Sequence, residues 1–522
     1  MNQRRWPRAT GTLAIVSLPA SAPAPSPGPV VTRLAPRLLP DPARVIAKSY
    51  APNEDPAAPE TRVARLLRQV ERMPDEQVAA LLDDVHRQFA HRHRDFDAIL
   101  ERSFATVSFQ LDHGVVPTRQ RRLLMGAYFT HEYSIESAAL FNPSMVLAPD
   151  QTGLEPGAAR FVLSLRAVGE GHLSSIEFRT GVIAADGALA LDPAGPYAEV
   201  GERRSPLYDK DSFVYKLGEL GASVELAAIV TDPLPEHFTR AELEMGLARL
   251  RVSEVEPAVS YETGKLIAWL ANSNYRTRFR SDVPMAERVI FPEAMNESRG
   301  MEDARFVRFT EDDGRVNYYA TYTAFDGFNI LPQLIETSDF TDFRIATLNG
   351  ESAENKGMAL FPRRIGGRYV ALSRFDRQNI DVMTSDDVYL WRERHRIRAP
   401  RQPWELFQLG NCGSPIETEA GWLVLTHGVG PMRRYCIGAM LLDLDDPRRV
   451  IADLPTPLLE PVGEEREGYV PNVVYSCGGI VHRGTLVLPY GFSDAGAGFA
   501  TVGLDDLLTW LLEHPSHDRI RP

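Results

Sequence analysis

Hydrophobic and polar positions fall into three rhythms along the chain. Up to about residue 60 there is no period: Pro and Ala dominate, and residues 1–60 are expected to be a disordered leader. From Glu60 onward Val63, Leu66, Leu67 and Val70, then Val78, Leu81, Leu82, Val85 and Phe89, recur at steps of three and four. That spacing lays one apolar stripe along a helix. Pro74-Asp75-Glu76, between the two runs, suits a helix start. Residues 61–130 are therefore predicted to form a helical N-terminal region.

Beyond about residue 140 short apolar runs alternate with turns. Phe161–Leu165, Tyr318–Tyr322, Tyr369–Leu372, Trp422–Leu425 and Thr485–Leu488 are such runs, and Asp312-Asp313-Gly314, Gly366-Gly367 and Ala420-Gly421 supply turn chemistry ahead of them. Successive units recur roughly every 50 to 60 residues, the period of propeller blades, whose sheets bury their faces only against their neighbours. A β-sandwich would not repeat in such long, similar units. One longer gap holds Phe238, Leu243, Met245, Leu247 and Leu250 at helical spacing. The predicted fold is all-β: a five-bladed β-propeller over 131–510, with an α-helical N-terminal region and a helical insertion at about 232–272 between the first two blades.

Composition narrows the partners. A net charge of −13, without a Lys/Arg run interleaved with aromatics, argues against a nucleic-acid or anionic-membrane surface. No stretch approaches the roughly 20 apolar residues needed to span a bilayer. Three scattered cysteines, Cys412, Cys436 and Cys477, form neither a disulfide framework nor a zinc spacing, so no metal is expected. They fit a reducing, cytoplasmic location. Arg4-Arg5, Leu13–Leu18 and Ala20-Ser21-Ala22 resemble a short secretory signal, but its apolar core contains Ser17 and ends at Pro19.

A propeller converges the inner strands of its blades on one channel, so the polar residues that open those strands carry the chemistry. They include Glu302-Asp303 with Arg305, Lys356 with Arg374, His427 with Tyr435, and Asn472 with Asp494. Singly, each has an ordinary structural reading: an exposed acidic turn, an ion-pair partner, a core histidine, a core tyrosine. Together they put one carboxyl among cations and hydroxyls, as glycosidic cleavage by an anionic nucleophile requires.

Gly300–Arg305 followed by Tyr322–Gly327 closely resembles the "GxEDPR … YTAYDG" signature of glycoside hydrolase family 130. Lys356–Pro362, Gly421–Leu423, His427–Val429, Gly438–Asp443, Asn472–Gly478 and Tyr490–Asp494 follow the same family in order, over about residues 140–505. The resemblance implies a five-bladed propeller that cleaves β-mannosides with inversion. Most of the family are phosphorylases releasing α-mannose 1-phosphate, and a minority are β-1,2-mannosidases. It places the proton donor at Asp303 and the phosphate-binding side chains at Lys356, Arg374, His427 and Tyr435. Asn142, Arg166, Asp326 and Asp494 fall at sugar-facing positions. The sequence departs from the pattern at Ala304, where the family has proline, and at Gln333, where many phosphorylases have a phosphate-binding arginine.

Phosphorolysis needs a single protein acid, and proton donation near neutrality calls for a raised Asp303 pKa. The expected ligands are a β-mannoside or manno-oligosaccharide and inorganic phosphate as co-substrate, with no cofactor; a homo-oligomer is compatible with the sequence. An inverting hydrolase would need a second carboxylate as base, for which Glu417, Glu419 and Asp494 are candidates. A non-catalytic sugar-binding propeller is the third reading.

Overall fold

The computed structural model describes residues 28–54, 60–251 and 257–515. Four helices, Arg62–Glu71, Asp75–Phe89, Phe96–Val107 and Arg119–Tyr128, follow the first strands. Thr61 starts the first of them by accepting the amide of Ala64 on its hydroxyl at 3.0 Å. The stripe read from the sequence then meets its complement: Val63, Leu67, Val70 and Val78 pack with Phe104, Leu124 and Met125 in one buried cluster.

The remainder is mainly antiparallel sheet. Strands Ala139–Leu147, Ala159–Val168 and Ser174–Ile183 pair in succession, as do Gly300–Thr310, Val316–Phe325, Ile330–Thr337 and Asp342–Thr347. These two groups join edge to edge through Ser174 and Gly300. Separate sheets follow: Lys356–Leu360 to Glu393–Arg398, Gln408–Asn411 to Val450–Asp453, and Val474–Tyr475 to Gly496–Gly503. Apolar clusters lie between consecutive sheets. Phe178 stacks on Phe343 while Phe306 stacks on Phe340, and Phe361 meets Trp422 edge-on across the next pair.

Two boundaries differ from the sequence reading. Val31–Leu38 is an ordered strand rather than disordered leader: it pairs along Gly496–Gly503, with Val31 opposite Val502 and Leu38 opposite Ala497. Its apolar residues show no period of two because the register breaks between Arg33 and Arg37. Pro36 sits in that break, where no ladder donor is required. Arg33 ties the strand down by pairing with Glu465 at 2.9 Å, and Glu465 also accepts from Tyr490. Residues 1–27 lie outside the described residues, as does the signal-like stretch they contain.

The helical segment expected from 232 begins instead at Lys210. Helices Lys210–Glu219 and Val224–Thr231 precede Arg240–Arg251 and Pro257–Ser273. Phe213, Leu217, Leu226 and Val230 join Leu243, Leu247 and Leu250 in one core. The first helix hides its period because Lys216, on the buried face, spends its ammonium on Leu348 O and Glu219. No helix among the described residues is long and apolar enough to cross a membrane.

Candidate active site

Three strands carry the same defect at the same place. The ladder slips between Phe141 and Ser144, between Glu302 and Arg305, and between Lys356 and Ala359. Within the slips Asn142, Asp303 and Gly357 take φ of 50°, 55° and 88°. A left-handed residue other than glycine costs about 1–2 kcal/mol, and Asn and Asp bear it best. Such bulges turn a side chain out of the strand's alternation, and here two of them aim Asn142 and Asp303 at each other. Asn142 Nδ2 donates to Asp303 Oδ1 at 2.7 Å.

Around this pair the charges are dense. Arg166 reaches Asp303 at 3.6 Å and Glu302 at 3.0 Å. The other oxygen of Glu302 takes Lys356 Nζ. Arg305, almost fully buried, donates to Asp303 O at 2.8 Å, to Cys412 O at 2.7 Å and to Tyr475 Oη at 2.7 Å. Tyr475 is the hinge between the acidic and basic halves. Its ring packs 4.7 Å from His427, whose Nε2 accepts from Arg374 Nη1 at 2.8 Å. Tyr435 lies nearly parallel to His427, 6.4 Å away, and packs against the cluster that holds Tyr475. Lys356 and Arg374 are direct cross-strand partners. Gly410 makes this packing possible, since a Cβ there would stand 2.5 Å from His427 Cε1 and 2.9 Å from Arg374 Cδ.

Electrostatics correct two expectations. Burial alone would raise Asp303, but Arg166, Arg305, the Asn142 amide and Lys356 outweigh it and hold the carboxyl below its ordinary value. Free of ligands, Asp303 is therefore an anion and not the raised acid anticipated. His427 is no cation either. Burial and the neighbouring Arg374 and Arg305 push it well below the usual imidazole range, and an arginine can only donate, so Nε2 is unprotonated. Asp494 shifts the other way: burial and the fields of Asp303 and Glu302 push it up to about 6 against Arg166 and Arg433.

The structure thus gathers Asp303, Asn142, Arg166, Asp494, Lys356, Arg374, His427 and Tyr435. Asp326 is held locally. Its carboxylate caps its own turn, accepting from Phe328 N, Asn329 N and Asn329 Nδ2 at 2.8, 2.6 and 3.0 Å. Gln333 is buried against the helix Pro257–Ser273, donating to Ser273 O at 3.3 Å, and does not join the basic group. Of the alternative bases, Glu417 is an exposed partner of Arg363 and Glu419 lies in an exposed turn, leaving only Asp494 in the site. Glu302, Arg305 and Tyr475 are the residues the sequence left unassigned. Arg305 was within the quoted motif, but its role depends on a carbonyl and a hydroxyl more than 100 residues away.

A family profile described as beta-1,4-mannooligosaccharide phosphorylase matches residues 279–513. The chain is 37% identical over 282 residues to a 1,2-beta-oligomannan phosphorylase of Thermoanaerobacter sp. (strain X514), covering 52% of this chain and 90% of that one. It is 31% identical over 226 residues to a beta-1,2-mannobiose phosphorylase of Listeria innocua serovar 6a, spanning 42% of this chain and 62% of the relative. A solved beta-1,2-mannobiose phosphorylase from Listeria innocua superposes with a TM-score of 0.43 at 22% identity, over 73% of this chain and 93% of its own. Similarity at this level along nearly the whole Thermoanaerobacter protein places the chain in glycoside hydrolase family 130.

Proposed function

We propose that the chain is a β-mannoside phosphorylase, a five-bladed propeller with the helices from Lys210 to Ser273 inserted between its first two blades. It cleaves with inversion and releases α-mannose 1-phosphate. The observation that carries this reading is the chain of contacts that runs from Asp303 through Arg305 and Tyr475 to His427 and Arg374. One carboxyl opposite a fixed group of donors is what attack by an already ionised nucleophile needs. The relatives named as mannoside phosphorylases support the same class.

In this mechanism Arg374, Lys356 and Tyr435 hold phosphate, and His427 fixes the Arg374 guanidinium as an acceptor rather than adding charge. Preorganised donors of this kind cost no reorganisation as charge moves onto the attacking oxygen. The bond from C1 to the leaving oxygen breaks while C1 joins a phosphate oxygen on the opposite face. Asp303 gives its proton to the leaving oxygen, and the proton shed by hydrogen phosphate restores the balance. Asp303 must first become protonated. Binding of the phosphate dianion supplies the cause, because it offsets the Lys356 and Arg305 charges that depress the carboxyl.

Hydrolysis remains the second reading because Asp494 shares the site with a carboxyl pushed up to about 6, suited to a base near neutrality. One assay separates the two. Turnover of β-mannobiose, of either linkage, should depend saturably on phosphate; equal turnover without phosphate rejects the phosphorylase.

A further inference from the structure

Asn411 is fully buried at the end of the strand Gln408–Asn411, between two residues that already serve the site. Gly410 before it makes room for His427 and Arg374, and the carbonyl of Cys412 after it accepts from Arg305. The two ends of the Asn411 amide differ. Nδ2 donates to Gly357 O at 2.8 Å, whereas Oδ1 has no hydrogen-bond partner among the described residues.

The bonded end acts on Lys356. Gly357 lies inside the register slip between Lys356 and Ala359 and holds a φ of 88°. A slip of this kind sets the direction of the side chains beside it. Asn411 therefore pins, from the next sheet, the distortion that immediately follows Lys356.

The free end lies close to Arg374. A Cβ on Gly357 would stand 3.8 Å from Arg374 Nε and 4.0 Å from Asn411 Oδ1, so both atoms border the same backbone unit. Among the described residues the buried Nε has no partner either, while Nη1 is committed to His427 at 2.8 Å. A buried acceptor and a buried charged donor left without partners each bear a desolvation penalty, the charged one more.

We infer that Asn411 is a positioning residue for phosphate: through Gly357 it fixes the bulge behind Lys356, and its Oδ1 accepts the Nε–H of Arg374 when phosphate binds. With Nη1 anchored on His427 and Nε on Asn411, the guanidinium is held at two nitrogens. Nη2 and the remaining hydrogen of Nη1 then meet the anion, the paired geometry in which arginine binds phosphate oxygens. This rests on the phosphorylase reading and assigns the aim of its cations to a neutral amide that touches neither substrate.

The test is a double-mutant cycle in the full chain: Asn411→Leu in wild type and in Arg374→Lys, whose side chain has no second donor nitrogen. Binding of inorganic phosphate is measured by calorimetry with no mannoside present, and steady-state kinetics give KM for each substrate. In wild type the substitution should weaken phosphate binding about tenfold or more, while KM for the mannoside changes less than about twofold. In Arg374→Lys the same substitution should cost about threefold or less, because its main partner is gone. If Asn411→Leu gives no cooperative melt, Asn411→Ser carries the same cycle. Unchanged phosphate binding, or equal losses in both backgrounds, overturns the inference while the phosphorylase reading stands. Wild type that binds no phosphate overturns that reading and the inference with it.

Discussion

Arg374 donates to Nε2 of His427 at 2.8 Å, and this one hydrogen bond decides the protonation of the basic half of the site. A guanidinium has no lone pair to offer, so the imidazole is neutral and its proton sits on Nδ1. His427→Ala should leave the buried guanidinium without its acceptor. The expected outcome is a KM for phosphate raised at least about tenfold, with a smaller change in KM for the mannoside, because an unpaired buried charge loses its orientation. Steady-state kinetics varying each substrate in turn check it; equal changes in both constants would count against the assignment.

Gly410 offers a sharper probe of the same geometry. A Cβ at that position would lie 2.5 Å from the His427 ring and 2.9 Å from Arg374 Cδ. Gly410→Ala should therefore push the pair apart, at an overpacking cost of about 1–3 kcal/mol. Phosphate affinity should fall while the variant still folds, as read by thermal melting and by KM for phosphate.

Asp494 sets a pH dependence. Its carboxyl is raised to about 6, so it is neutral in acid and becomes an anion as pH climbs through that value. The new charge joins Asp303 and Glu302 and repels a phosphate dianion. KM for phosphate should accordingly rise with pH through about 6, beyond the change due to phosphate's own ionisation, and Asp494→Asn should remove that excess rise. A profile identical in the variant would show that Asp494 does not face the phosphate.

The first strand predicts a stability effect far from the chemistry. Removing residues through Leu38 would strip the partner from Gly496–Gly503 and free Glu465 and Tyr490 from Arg33. A loss of roughly 5–10 °C in Tm is expected, with aggregation along the bared edge. An unshifted melting curve would mean that the strand is dispensable.

How far the sequence could be read follows from where each signal resides. The strands were legible because their apolar runs are local, and Trp422–Leu425 lies fully buried where that run predicted a strand. The helical stripe from Val63 to Val85 was legible for the same reason. Val31–Leu38 was not, because a register break scrambles its alternation. Asp303, Lys356 and His427 could be named because they lie within quoted motifs. Their charges did not come through. The state of Asp303 depends on Arg166 and Arg305 together, and that of His427 on Arg374. Tyr475 lies within a quoted motif but was given no role there; that role appears only when Arg305 and His427 reach it from other sheets. Gln333, read as the loss of an arginine contact, gave no sign of its own partner, the Ser273 carbonyl.

The most direct test of the account is the product formed by wild type and by Asp303→Asn from β-mannobiose and phosphate, followed by phosphorus and proton NMR. Wild type should form α-mannose 1-phosphate and one free sugar in equal amounts. The variant, folded by its melting curve, should be slower by about 10³-fold or more, the upper range for loss of a general acid. Free mannose without the phosphate ester, or product from the variant at the wild-type rate, would contradict the account.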